Sequence, residues 1–65
     1  MSFPVKAIPI MELKIGDEIF IYKQFHSVKE VRISHVTGMD TMTIVYNELR
    51  DTMIFSRYAT VLILV

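Results

Sequence analysis

Aromatic and cationic side chains are the residues of this sequence with the clearest potential for binding chemistry. A planar ligand stacks on Tyr or Phe, while Arg holds a phosphate or carboxylate through paired hydrogen bonds. We therefore predict a ligand or partner site built from Tyr22, Phe25, His26, Arg32, Arg57 and Tyr58. The alternative is structural: Phe20, Tyr22 and Tyr46 fill the core or an interface, and Arg57 pairs with Asp51 or Glu48.

Residues in catalytic or metal-binding spacing are missing from the sequence. It has no cysteine, and its two histidines, His26 and His35, have no carboxylate at a local metal spacing. Asp17 and Glu18 are adjacent, so on a strand they point to opposite faces and do not form an acid–base pair. No nucleophile elbow, phosphate loop or HExxH helix is present. We predict that the protein is not an enzyme and needs no metal or cofactor.

Short runs rich in Val, Ile, Thr, Tyr and Phe, bounded by Gly, Asp and Asn, predict an all-β chain. Gly16-Asp17 predicts a turn in which glycine takes a positive φ. The other predicted connections are a loop over Gln24–Ser27, a short hairpin turn over Thr37–Asp40, a turn over Asn47–Asp51 and a single 3₁₀ turn over Ser56–Ala59. The strands are predicted at Val5–Ile10 (a proline-containing edge strand), Glu18–Lys23, Val28–Val36, Thr41–Tyr46, Thr52–Phe55 and Thr60–Leu64.

The opening Leu13-x-x-Gly16-Asp17-x-Ile19 precedes this series of strands. It resembles the opening of SH3-like small barrels, of KOW-type domains and of a family of small phage and bacterial proteins. The resemblance covers about Glu12 to Leu64 and implies a barrel of five to six antiparallel strands, with the 3₁₀ turn before the last strand. The chain lacks the later glycine and the basic character of KOW domains.

Length and charge restrict the function further. The chain has 65 residues, which is one domain, residues 1–65. Seven basic and seven acidic residues give a formal charge of zero, unlike the basic surface of a dedicated nucleic-acid binder. A hydrophobic content of 52% at zero net charge favours association. With no long apolar run and no signal-peptide pattern, we expect a cytoplasmic protein, in the host cytoplasm if a phage encodes it.

The last strand is the clearest sign of association. Val61 to Val65 are five consecutive apolar residues, which places apolar side chains on both faces of the strand. A monomeric barrel has only one inner face. We therefore predict a subunit interface that includes Val61, Ile63 and Val65.

These observations favour a non-catalytic, homo-oligomeric binding protein. It would capture a small, nucleotide-like ligand or block a host protein, for example as a phage counter-defence protein, a role that rests on the resemblance. One alternative is a small nucleic-acid-binding barrel, supported by strand aromatics and scattered lysines. Another is a structural or assembly adaptor.

Overall fold

The computed structural model describes residues 4–36 and 39–65, and within these ranges the side chains of all residues except 35, 36 and 39. Of the predicted turn Thr37–Asp40, Thr37 and Gly38 lie outside the described residues, and Met39 and Asp40 belong to a strand. The described chain is all-β, as predicted. It forms β1 (Val5–Pro9), the 3₁₀ helix η1 (Ile10–Glu12), β2 (Glu18–Ile21), β3 (Gln24–Val36), β4 (Met39–Tyr46), β5 (Asp51–Ser56) and β6 (Thr60–Leu64).

All six strands belong to one antiparallel sheet with the order β1-β6-β2-β3-β4-β5. Among the described residues β1 and β5 do not pair with each other, so the sheet is open rather than closed into the predicted barrel. The contact between β2 and β6 is a single register pair, Ile19 with Ile63. Two edges therefore stay available, one on β1 and one on β5.

A bulge at Lys29 lets the open sheet fold over one core. The register of β3 with β4 shifts between Val28 and Glu30, and such a bulge bends the strand that carries it. We call β1, β6, β2 and residues 24–28 of β3 the first half, and the rest of β3 with β4 and β5 the second half. Both halves supply the core cluster, which contains Ile8, Ile10, Leu13, Ile19, Ile21, Val28, Met42, Ile44, Tyr46 and Val61.

The connection between β2 and β3 differs from the predicted loop over Gln24–Ser27. Tyr22 and Lys23 form a two-residue turn with φ of 51° and 63°, and Ile21 pairs directly with Gln24. Consecutive positive φ angles are characteristic of a type I′ hairpin turn, which normally selects Asn or Gly. Because neither residue is Asn or Gly, the sequence gives no turn signal here, and the loop prediction is wrong.

The turn at Gly16-Asp17 agrees with the sequence. Gly16 has a φ of 99°, and the Asp17 carboxylate accepts the backbone N–H of Lys14 at 2.9 Å. Val28 then donates its N–H to the Asp17 carbonyl at 2.8 Å, which fixes the turn against β3. This turn therefore sets where β2 begins.

The 3₁₀ helix among the described residues is η1, which leads from β1 towards β2 and was not predicted. Residues 56–59 form one hydrogen-bonded turn, in which the N–H of Ala59 donates to the carbonyl of Ser56 at 3.1 Å. A bond from residue i+3 to residue i is the bond of a 3₁₀ turn. The segment before the last strand is therefore the single turn that the sequence predicts.

Candidate functional site

The outer side of the first half carries a continuous apolar surface. Phe20 pairs with Phe25, Val5 with Leu64, and Ala7 with Leu62, and these residues alternate with neighbours that face the core. Val5 is 47% exposed, and Phe20 and Leu62 are each 40% exposed. We define the outer apolar face as Val5, Ala7, Phe20, Phe25, Leu62 and Leu64.

A shallow cleft lies within the outer apolar face. The rings of Phe20 and Phe25 are 5.1 Å apart and tilted by 50°, a favourable geometry for an aromatic pair. With Val5 and Leu62 they line a cavity of about 260 Å³. No charged side chain lines this cavity, so it fits an apolar group rather than a phosphate or carboxylate.

Two of the three residues predicted to form an interface on the last strand lie on its core side. Val61 belongs to the core cluster and Ile63 packs against it, while Leu62 and Leu64 point away from the core. Val65 is exposed and lies just beyond the strand. Because every residue of the run is apolar, the sequence does not show which alternate residues face the core. The interface prediction therefore chose the alternate set that contains Val61 and Ile63.

The aromatic residues of the predicted ligand site point in different directions. Tyr22 lies in the hairpin turn and is 79% exposed. Phe25 and His26 are strand residues rather than loop residues, and they lie on opposite sides of the sheet. His26 contacts Tyr46 on the core side, with ring centroids 4.9 Å apart and the rings tilted by 54°.

Tyr46 is a core residue, as the structural alternative expected. It is 5% exposed and belongs to the core cluster. Burial raises the pKa of its hydroxyl above the ordinary value of 10.0, with a smaller contribution from the negative charge of Asp51. The contact of the His26 ring with the Tyr46 ring joins the start of β3 to the end of β4.

Arg32 is engaged in an ion-pair network on the outer side of the second half. Its Nε and Nη2 donate to the two carboxylate oxygens of Glu30 at 2.6 and 3.0 Å. Arg50 donates to the same carboxylate at 2.6 Å. The hydrogen bond from Arg32 lowers the pKa of Glu30 below 4.5 and raises the pKa of Arg32.

Arg57 also has an acidic partner, but not one of the two that the sequence suggested. Its Nη1 donates to the Asp40 carboxylate at 2.5 Å, and this bond raises the pKa of Arg57. The guanidinium lies 5.3 Å from the centre of the Tyr58 ring, a cation–π contact. Glu48 instead pairs with Lys29 at 3.0 Å, and Asp51 accepts a hydrogen bond from Asn47 at 2.8 Å.

The six residues of the predicted ligand site do not meet within one chain. Arg57 and Tyr58 lie beside Asp40 at the start of β4, and His26 lies against Tyr46 at its end. Six residues of extended strand separate these points by about 20 Å. Arg32 belongs to a third place, on the outer side of β3.

A second cavity, of about 480 Å³, opens near η1. Both acidic and basic side chains line it, including Lys6, Glu12, Lys14 and Asp17, along with Leu13 and other apolar residues. The Asp17 carboxylate there already accepts the Lys14 amide. This mixed lining gives the cavity no preference for one sign of charge.

Sequence reasoning missed Val5, Leu62 and Leu64 as members of a surface and gave Phe20 only as a residue of the core or of an interface. The strict alternation in β2 adds that Ile19 and Ile21 share one face and that Phe20 lies on the other. The structure confirms that alternation. The surface becomes visible only when the pairing of β1, β6 and β2 is known.

Comparisons with protein-family models, curated proteins and solved structures find no match for this chain. Among the described residues, no group of three His, Cys, Asp or Glu side chains is placed to hold a metal ion. The described part of the chain also has no helix with the length and apolar character of a membrane span.

Proposed function

We propose that this protein is a non-catalytic binding protein that works as a homo-oligomer, with the outer apolar face of one copy covering that of another. The observation that carries the proposal is the outer apolar face itself. It brings together side chains from four strands and contains no charged residue. The folded chain leaves this face in water.

The size of the face suits the centre of a protein interface. Four strands spaced about 4.8 Å apart, each about 17 Å long, give a footprint of roughly 300 Å². Apolar patches of about this size on monomers are often functional. A standard interface covers about 800 Å² per partner, with an apolar centre and a polar rim. Glu18 and Ser27, a register pair on the same side of the sheet, would belong to the rim.

A protein partner is favoured over a nucleotide-like ligand. The arginines of the predicted ligand site are held by Glu30 and Asp40, and the apolar cleft has no cation along its lining. Protein blocking by an assembled oligomer therefore has more support than small-ligand capture. The setting as a phage or bacterial accessory protein in the cytoplasm, such as a counter-defence protein, rests on the resemblance of residues 13–19.

Nucleic-acid binding has less support. Its expected signature is a basic stripe along a groove. Five cations support this alternative in the sequence: Lys6, Lys14, Lys23, Lys29 and Arg32. Lys29 pairs with Glu48 and Arg32 pairs with Glu30, so two of the five are neutralised locally. An adaptor role in a larger assembly uses the same apolar face and is one form of this proposal.

The test is the mass in solution of the whole protein and of Leu62→Glu, measured by light scattering over a range of concentrations. A carboxylate placed in the centre of an apolar interface is left without a partner, which is strongly unfavourable. We expect the wild type to be oligomeric and Leu62→Glu to be unable to associate through this face. Val5→Glu, on another strand of the same face, should have the same effect.

The matched control is Leu49→Glu. Leu49 is 84% exposed in the turn between β4 and β5 and is not part of the outer apolar face. It should leave the mass unchanged, and circular dichroism checks that each variant is folded. Folded Leu62→Glu and Val5→Glu proteins with the wild-type mass would refute the assignment of this face.

A further inference from the structure

The two edges of the sheet differ in how well they are protected against pairing with another strand. β1 carries Pro9 and Lys6, follows Pro4, and is five residues long. Proline and lysine on an edge strand are devices that prevent further pairing. β5 spans Asp51–Ser56 and has neither residue type. Within the described chain β5 pairs only with β4.

The hydrogen-bond pattern shows which groups of each edge point outward. On β1, the N–H of Val65 bonds to the carbonyl of Pro4 at 2.9 Å, so alternation turns the backbone groups of Val5, Ala7 and Pro9 outward. Pro9 therefore removes a donor from the outward side. This position is where an edge strand tolerates proline best.

On β5 every outward residue has an N–H to donate, and the Ser56 carbonyl already accepts the N–H of Ala59 in its own chain. The N–H of Arg57 bonds to the carbonyl of Asp40 at 3.4 Å, and the register of β4 with β5 continues without a shift from Thr41↔Ser56 to Tyr46↔Asp51. Alternation then directs the N–H and C=O of three residues away from β4. These residues are Thr52, Ile54 and Ser56.

We propose that β5 pairs antiparallel with β5 of a second copy, about a two-fold axis at Ile54. This register brings all three outward residues of both strands into hydrogen-bonded positions. Ile54 faces Ile54 of the second copy, and Thr52 faces Ser56. A shift of two residues in either direction leaves one of the three outward positions without its counterpart, so this register makes the most hydrogen bonds.

The side chains are complementary in the same register. Asp51 faces Arg57 of the second copy at both ends of the strand, so opposite charges lie across the strand pair, in addition to the ion pair that Arg57 makes with Asp40 in its own chain. Met53 faces Phe55, which allows a contact between sulfur and an aromatic ring. Ile54 is 68% exposed in one copy and would be covered by its symmetry mate. The segment from Asp51 to Arg57 therefore has side chains that suit antiparallel pairing with a second copy of the same segment.

This edge is separate from the outer apolar face, because the two lie in different halves of the sheet. The β5 edge is a second contact surface of the proposed homo-oligomer and rests on that proposal. Different variants test the two surfaces, so one contact can be refuted while the other stands. Each contact joins the same surface of two copies and is therefore two-fold, so a closed assembly that uses both contacts has an even number of chains.

Amide hydrogen exchange, measured residue by residue by NMR at low and high protein concentration, tests the register directly. We expect the amides of Met53 and Phe55 to be protected at both concentrations, because they bond to β4. The amides of Thr52, Ile54 and Ser56 should become protected only when the protein associates. The amides of Val5 and Ala7 on the β1 edge should stay unprotected. Fast exchange at Thr52 and Ile54 in an associated sample would overturn the proposal.

Ile54→Pro and Ile54→Thr form a matched pair of variants. Proline at this position removes an outward N–H and leaves the bonds to β4 in place, whereas threonine keeps the N–H and the strand preference. Loss of both symmetry-related Ile54 bonds should raise the dissociation constant of the edge contact about thirtyfold for the proline variant. The threonine variant should change it much less. Equal effects of the two substitutions would show that only the apolar side chain matters and would contradict edge pairing.

Charge reversal at the strand end gives an independent readout. Asp51→Lys places like charges opposite each other at both ends, so it should weaken the association, and added salt should reduce the difference from the wild type. Glu48→Lys makes the same change in net charge in the adjacent turn and should have no such effect. Equal weakening by the two variants would point to net charge and would contradict the register.

Discussion

The Glu30 carboxylate connects β3 to the turn before β5. It accepts two hydrogen bonds from Arg32 on its own strand and one from Arg50 in the turn before β5. Its register partner Val45 is buried on the same side of the sheet, outside the core cluster. The outer side of the second half is thus held by charged groups, whereas the outer side of the first half is apolar.

The network around Glu30 predicts a pH dependence of stability. The folded state lowers the pKa of Glu30, so the ionised carboxylate stabilises the fold above its ordinary pKa of 4.5. This contribution is lost as the pH falls through the lower, folded-state pKa. Glu30→Gln should therefore unfold at lower urea concentration than the wild type at neutral pH, and the difference should disappear in acid. Urea denaturation at both pH values measures this, and a constant difference would contradict the assignment.

Tyr46 predicts the opposite dependence, at alkaline pH. Its folded-state pKa is raised above 10.0, so folding favours the neutral hydroxyl. The stability that this provides is complete below pH 10.0 and is lost as the pH rises through the folded-state pKa. Tyr46→Phe has no hydroxyl to ionise, so it should lose less stability than the wild type in this range. Denaturant titrations across the range should show this, and parallel losses in both proteins would contradict it.

At the scale of elements, the sequence predicts most strands because each shows strong β preference and a clear boundary. β6 matches its prediction residue for residue, and the Gly16-Asp17 turn forms as expected. The long β3 is missed at its start because the turn before it uses Tyr22 and Lys23. Tertiary pairing, not local turn preference, holds these two residues at positive φ.

The turn between β2 and β3 therefore carries removable strain. Left-handed backbone costs an ordinary residue about 1–2 kcal/mol, and glycine or asparagine adopts it more easily. Tyr22→Asn combined with Lys23→Gly should raise the free energy of unfolding by roughly 1–2 kcal/mol, since both side chains are exposed. Gln24→Gly, in the adjacent strand position, should lower it. Chemical denaturation of the three proteins is the measurement, and destabilisation of the double variant would argue against a type I′ turn.

The candidate site is less predictable from sequence than the strands are. Residue type identifies aromatic and cationic side chains, but their convergence depends on strand pairing and on the bulge at Lys29. The sequence does not show which alternate side chains of Val61–Val65 face the core, because every residue in the run is apolar. The pairing of β6 with β1 and β2 decides that Leu62 and Leu64 face outward.

The whole molecule has more accessible surface than is typical of a folded chain of its mass, which agrees with association through that surface. Its accessible surface is 4759 Å², whereas a folded chain of this mass typically exposes about 4,300 Å². Its extents are 44 × 24 × 18 Å, so it is elongated. The sheet is open at both ends instead of closed on itself. Association through the outer apolar face and through the β5 edge would cover this additional surface.

The most direct test of the central claim is native mass spectrometry of the wild type beside the double variant Leu62→Glu/Ile54→Pro. We predict that the wild type is a discrete assembly with an even number of chains, and that the folded double variant is a monomer. The single variants show how far each of the two surfaces alone can hold chains together. A wild type that stays monomeric at the concentrations used for light scattering would contradict the proposed homo-oligomer.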